Sequence, residues 1–255
     1  MLVLLSCAKT MSAVSKVKVP LTTIPRFQKE AAEIALQMSQ FSVDELERLL
    51  RVNAKIAVEN YKRYQAFHAE TTPELPALLA YTGIVFKRLN PKDFSAEDFG
   101  YAQEHLRLTS FCYGLLRPLD VIRAYRLEGD VVLPELGNQT LFSYWRSRLT
   151  FIEDIRSAGG ILCNLASDEM KSLFDWKRVE SEVRVVTPEF HVWKNGKLAT
   201  IVVYTKMSRG EMTRFILKNK IGNPEELKGF SWEGFEFDES LSDEKKLVFI
   251  NGMGE

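Results

Sequence analysis

Phe190-His-Val-Trp-Lys-Asn-Gly-Lys-Leu-Ala-Thr-Ile-Val-Val-Tyr204 is the stretch on which the fold turns. β-Branched and aromatic residues flank Asn195-Gly196, whose left-handed preference suits a type I′ turn. Residues 190–193 and 198–204 are therefore predicted to pair as a hairpin. Ser208-Arg-Gly-Glu211 follows with the spacing of a capping box. It predicts a helix starting at Arg209, with Met212, Phe215 and Ile216 facing the core.

Upstream, Ile161-Leu-Cys-Asn164 reads as a buried strand feeding a helix start at Ala166-Ser-Asp-Glu169. Residues 140–155 place Leu141, Tyr144, Trp145, Leu149, Ile152 and Ile155 on one helical face, and Gly159-Gly160 ends it. Leu2–Leu5 is a short apolar run fit for a buried strand. Past its end, Ser6-Cys-Ala-Lys-Thr10 offers two hydroxyls and an ammonium where α/β sheets place ligand groups, although a solvated loop fits the segment equally. Residues 26–67 keep a helical period, with a capping box at Ser42-Val-Asp-Glu45 and Tyr61, Tyr64 and Phe67 at core spacing. Residues 71–76 read as a loop and 80–86 as a short strand. Ser95-Ala-Glu-Asp98 opens a helix, and a second short helix is expected after Tyr113-Gly114, with Pro118 in its first turn. Residues 235–237 and 247–250 close the chain as strands. Helices and strands are mixed without the regular alternation of a doubly wound sheet. The fold class is α+β (mixed α/β), a mixed sheet surrounded by helices.

With 255 residues and 45% hydrophobic content, the chain can bury a core without metal or disulfide help. No repeat, low-complexity run or long linker divides it, so one domain spanning residues 1–255 is expected. Cys7, Cys112 and Cys163 are odd in number, form no CxxC or Cys/His cluster and sit among apolar or small residues. They read as reduced, buried thiols of a cytosolic protein. The start, residues 1–7, lacks a basic n-region, and its apolar run is shorter than the ~7–15 residues of a signal sequence. Nor does any stretch approach the ~20 apolar residues of a membrane span. A cytoplasmic protein without membrane, metal or cofactor is the expectation.

Formal net charge is zero, with 34 basic and 34 acidic residues, but the charge is segregated. Residues 204–220 hold Lys206, Arg209, Arg214, Lys218 and Lys220 against Glu211 alone. Residues 105–126 hold Arg107, Arg117, Arg123 and Arg126 against Asp120. A neutral chain of this kind can present a cationic face to a polyanion, nucleic acid above all. At the expected helix start, Lys206 and Arg209 add charge to free N–H groups while Gly210 admits a ligand to the backbone, a plausible phosphate seat. The alternative is a solvated helix start. Residues 107–118, with Arg107, Gly114 and Arg117, have the form of a helix-hairpin-helix, whose hairpin N–H groups grip a phosphate of duplex DNA. A small anionic ligand near Lys9 is a further expectation.

Leu4-Leu-Ser-Cys-Ala-Lys-Thr10, Ala102-Gln-Glu-His-Leu-Arg107, Tyr113-Gly-Leu-Leu-Arg-Pro-Leu-Asp120, Tyr125-Arg-Leu-Glu128, Asn164-Leu-Ala-Ser-Asp-Glu169 and Arg209-Gly-Glu-Met-Thr-Arg-Phe215 together resemble the YaaA family of bacterial peroxide-stress proteins. The resemblance runs from end to end. It implies a single mixed α/β domain with a basic cleft and a helix-hairpin-helix element that binds double-stranded or branched DNA. It also implies a role in limiting oxidative DNA damage by lowering free intracellular iron. Two positions depart: Cys7 stands where the family usually has Pro, and Phe111 where its hairpin has the first Gly of Ser-Gly-Leu-Tyr-Gly.

A catalytic reading stands beside the binding one. Lys9, His105, Asn164, Ser167, Glu169 and Arg209 are candidates to converge on one cleft, Lys9 as nucleophile or charge clamp and His105 or Glu169 as acid/base. No Walker loop, GxSxG elbow or metal-ligand spacing accompanies them. Direct iron binding would need a gathered set of carboxylates and histidines, which the spacing does not offer.

Overall fold

The computed structural model describes residues 1–194 and 196–252, so Asn195 of the expected turn lies outside the described residues. The first strands are β1 (Leu2–Leu5), β2 (Glu74–Pro76), β3 (Leu106–Ser110), β4 (Gly114–Leu116), β5 (Val121–Arg123) and β6 (Val132–Leu133). Then come β7 (Gln139–Thr140), β8 (Ile161–Leu165), β9 (Arg184–Lys194), β10 (Lys197–Ala199), β11 (Phe235–Phe237) and β12 (Lys246–Asn251). The helices begin with α1 (Gln28–Met38), α2 (Val43–Leu50), α3 (Ala54–Ala66), α4 (Ala77–Ala80), α5 (Ile84–Leu89) and α6 (Ala96–His105). They continue with α7 (Leu141–Arg146), α8 (Ile152–Ser157), α9 (Asp168–Lys171), α10 (Trp176–Glu182) and α11 (Val202–Asn219).

One mixed sheet runs β11-β12-β9-β8-β1-β3-β4, with β10 also on β9. Parallel pairing joins β12, β9, β8, β1 and β3, while β11, β4 and β10 add antiparallel ribbons at its margins. Central β1 is flanked on both sides, Leu4 pairing with Asn164 of β8 and Arg107 of β3. A parallel strand covered on both faces must be apolar throughout, and Leu2, Val3, Leu4 and Leu5 are fully buried. Each such burial contributes on the order of 1.5–3 kcal/mol. This is the mixed α/β fold expected from the sequence, and one continuous apolar core extends from Met1 to Phe249.

The helical reading of residues 26–67 resolves into α1, α2 and α3. At α2, Ser42 Oγ accepts from the Glu45 amide at 3.3 Å while Glu45 Oε2 accepts from the Ser42 amide at 2.8 Å, closing the capping box. Leu46 and Leu50 are the buried face. Tyr64 is core, its hydroxyl donating to the Arg126 carbonyl at 2.5 Å. Ser95 and Asp98 likewise cap α6.

Several local expectations are corrected. Residues 80–86 are not a strand: α4 and α5 meet around Gly83, and β2 occupies residues 74–76 within the expected loop. No helix follows Gly114; α6 runs straight into β3, which turns back as β4. The expected helix over residues 140–155 is two, α7 and α8, broken between Arg146 and Ile152. Most consequential, β10 ends at Ala199 and α11 starts at Val202, seven residues before Arg209. The β-branched run Ile201-Val-Val favours strand by a margin that spans only ~1 kcal/mol. Continuing α11 backward instead adds ordered helix bonds, the Thr205 amide donating to the Ile201 carbonyl at 2.9 Å.

Candidate functional site

β1 and β8 are adjacent and parallel, yet the chain leaves β1 toward β3 and leaves β8 toward β9 on the opposite side. Where successive connections diverge in this way, the carboxyl ends of the strands leave a crevice. A cavity of 310 Å³ lies there, within the range of small-ligand sites. The loop after β1 supplies Ser6, Cys7 and Lys9, and the loop after β8 supplies Ser167 and Glu169. Two hydrogen bonds fix these loops: Ser6 Oγ accepts the Ser167 amide at 2.9 Å, and Thr109 Oγ1 accepts the Cys7 amide at 3.2 Å.

The remaining walls come from α5, α11, Phe111 and the segment 125–127. Lys206 and Arg209, three residues apart, share the α11 face that lines the cavity. Ile84 and Val85 of α5 line it opposite the β1 loop. Two glycines make these approaches possible. A Cβ on Gly83 would lie 2.8 Å from Ala8 Cβ, and one on Gly210 would lie 2.3 Å from the Val85 carbonyl oxygen. Gly210 is therefore a helix-crossing residue and not an opening for a ligand. The phosphate seat at a helix start is likewise corrected, because the amides around Arg209 lie inside α11, and Ser208 is fully buried. The two cations survive as cavity groups by helical geometry alone.

Charge inside the cavity is arranged asymmetrically. Lys9 Nζ donates to Glu128 Oε2 at 2.6 Å, and Arg126 Nη2 stands 3.8 Å from Glu128 Oε1. Lys206 and Arg209 form no ion pair among the described residues. Burial pushes the Arg209 guanidinium down from its ordinary value, with Asp168 opposing. Among the described residues, four buried side-chain polar atoms lack a hydrogen-bond partner: Arg126 Nε, Asn164 Nδ2, Ser208 Oγ and Arg209 Nε. Two of them belong to guanidinium groups that line this cavity. A buried donor left without an acceptor costs about 1–3 kcal/mol, more when charged, and an anionic oxygen would relieve it.

Other expected site residues lie elsewhere. His105 ends α6, stacked on Tyr101 at 4.1 Å with Nδ1 at 3.0 Å from the Met1 carbonyl, outside the cavity. Arg107 sits near the start of β3, where its Nε donates to Asp154 at 3.1 Å and its Nη1 to the Leu106 carbonyl at 2.9 Å. Arg117 donates to Asp120 at 2.9 Å and shares with Arg107 a separate cavity of 130 Å³. Arg214 is forked onto Asp93 at 2.5 Å and 2.8 Å. Gly114 has φ +68°, and a Cβ there would fall 2.7 Å from the Trp145 ring. The whole of β3 and β4 is buried, so this hairpin presents no amides to a duplex. Phe111 is not among the positive-φ residues; it lines the cavity and packs edge-on against Phe142 at 5.6 Å.

Glu128 is the site residue that sequence reasoning missed. Its signal was present, as the first carboxylate after the basic run ending at Arg126. Cys7 lines the cavity as a thiol pushed up to about 12 by burial, so it is not a poised thiolate. No helix among the described residues is long and apolar enough to cross a membrane.

Comparison with known proteins matches residues 1–241 to the family described as peroxide stress protein YaaA. A UPF0246 protein of Bacteroides thetaiotaomicron is 98% identical, with 100% of both chains covered. UPF0246 proteins of Phocaeicola vulgatus and Crocosphaera subtropica are 62% and 38% identical, each alignment covering 98% of this chain and 98% and 100% of theirs. On that extent of matching, this chain belongs to the YaaA family of peroxide stress proteins.

Proposed function

We propose that this chain serves the peroxide-stress response as a DNA-binding protein, with a backbone phosphate of duplex or branched DNA anchored at the cavity mouth by Arg126, Lys206, Arg209 and Lys9. The observation that carries this reading is the pair of lining guanidinium groups whose Nε–H donors have no partner among the described residues, beside Lys206, which has no carboxylate partner among them either. Phosphate oxygens supply both the acceptors and the charge that these groups call for. Backbone contacts of this kind position a protein without reading sequence. Affinity should therefore fall steeply with salt and vary little among sequences. Lys206→Ala/Arg209→Ala should flatten the plot of log affinity against log salt by up to about 1, at roughly 0.9 per phosphate neutralised. Salt-independent affinity, or an unchanged slope in the folded double variant, would refute it.

A second reading is favoured by one observation: Lys9, Ser167, Glu169 and Arg209 do share the cavity. It makes the site an enzyme acting on a nucleotide or DNA base, with Lys9 and Glu169 in acid/base roles and His105 outside. Turnover abolished by Lys9→Ala in a folded protein would establish it. The iron link is proposed as indirect, since His68, His105 and His191 stand on separate elements. Ferrous ion bound at one per chain in a titration would overturn that.

A further inference from the structure

A second depression, of 990 Å³, adjoins the cavity and shares a wall with it. Gly83, Ile84 and Val85 face the cavity, while Thr82, Phe86 and Lys87 of the same segment face the groove. The outer side of the groove is formed by residues 12–18, an irregular strap pinned where the Ser12 amide donates to the Ala80 carbonyl at 2.8 Å. Four lysines line it, Lys16 and Lys18 from the strap and Lys87 and Lys92 from α5 and the turn beyond. All four are exposed. Among the described residues, no carboxylate lies within ion-pair distance of any of them, and no Asp or Glu lines the groove.

This contrasts with the cations first singled out in the sequence. Arg107, Arg117, Arg123 and Arg214 are each held by a carboxylate. A cation held by a carboxylate must loosen that ion pair to meet a polyanion, as Lys9 and Arg126 must with Glu128, whereas an exposed, unpaired lysine displaces condensed counterions directly. The strap also belongs to the part of the chain in which no Asp or Glu precedes Glu30, while Lys9, Lys16, Lys18, Arg26 and Lys29 do. The unopposed charge of the groove thus lies across a single wall, residues 82–87, from the anion-seeking cavity.

We infer that this lysine groove carries the sugar–phosphate backbone of DNA leading to the phosphate held at the cavity. The inference rests on the DNA reading above and assigns the path of the strand. The floor of buried Tyr81, Phe86 and Phe94 is closed, so the groove grips a backbone from its rim and does not insert into the base stack.

The test is the quadruple variant Lys16→Ala/Lys18→Ala/Lys87→Ala/Lys92→Ala, its charge-retaining counterpart with Arg at all four positions, and Lys206→Ala/Arg209→Ala. Binding of a labelled duplex is followed by fluorescence anisotropy over a salt series. The alanine quadruple variant should flatten the log–log salt slope by about 3 to 4, from roughly 0.9 per phosphate, and the arginine variant should restore it. An unchanged slope in the alanine quadruple variant, with Lys206→Ala/Arg209→Ala still flattening it, overturns the groove and leaves the DNA reading standing. A wild-type protein that binds no duplex or branched DNA overturns both. Tighter binding to phosphatidylserine-containing vesicles than to DNA, lost in the alanine quadruple variant, overturns DNA as the occupant.

Discussion

Gly210→Ala should damage this protein through one contact. The added Cβ would lie 2.3 Å from the Val85 carbonyl oxygen, 2.8 Å from Arg88 Cβ and 3.1 Å from the Val85 carbonyl carbon. Two of those atoms are backbone, so no rotamer change relieves the clash, and α11 must move away from α5. Overpacking costs about 1–3 kcal/mol, and a backbone obstacle places this case near ~3 kcal/mol. In a chain of this size each kcal/mol shifts Tm by roughly 2–4 °C, so the variant should melt about 6–12 °C lower. Gly100→Ala is the control: it lies within α6, and nothing stands within 4 Å of its added Cβ. There the same substitution should stabilise by about 0.4–1 kcal/mol, through a less free unfolded chain and better helix propensity. Thermal unfolding by circular dichroism compares the two. Shifts of the same sign, or a Gly210→Ala midpoint within about 1 °C of wild type, would refute the helix-crossing argument. Val85 and Arg209 flank this contact and line the cavity, so Gly210→Ala should also weaken DNA binding, while Gly100→Ala leaves it unchanged.

Glu128→Gln removes the carboxylate that holds Lys9 and Arg126, and should steepen the salt dependence of DNA binding by about 1 in slope; a flatter dependence would show that Glu128 organises the site. Burial drives the Cys7 and Cys163 thiols up to about 12 and Cys112 higher still, leaving at pH 7 a thiolate fraction on the order of 1 in 10⁵ at the first two. Cys112 and Cys163 should resist a thiol-reactive dye until the protein is unfolded, and rapid labelling of either in the native state would contradict its burial. Burial lowers His105 below its ordinary value of 6.5, so the unfolded chain takes up its proton first as pH falls. Stability from this group is present above about pH 6.5 and declines below it, until the folded state is protonated too. His105→Gln should make denaturant midpoints less sensitive to pH between about 7 and 5. Ser42→Ala should cost about 1 kcal/mol in urea unfolding, by opening the α2 capping box.

What the sequence settled by itself was local and periodic. The apolar run Leu2–Leu5 suited a buried strand, and Ser42 and Ser95 each marked a helix start that the structure closes with a capping box. The same logic misled at Ser208, where identical spacing sits inside α11, because a capping box is a pattern that a longer helix can absorb. Charge was also legible in amount but not in availability. Arg107, Arg117 and Arg214 look like Lys16 or Lys92 in a sequence, and only tertiary contacts decide that the first three are spoken for by Asp154, Asp120 and Asp93. The gathering of Lys9, Arg126, Lys206 and Arg209 required β1 and β8 to lie side by side, across more than 150 residues of chain. Pairing at that range is chosen by the packing of the whole core, which no local stretch encodes, and so the site belongs to the fold.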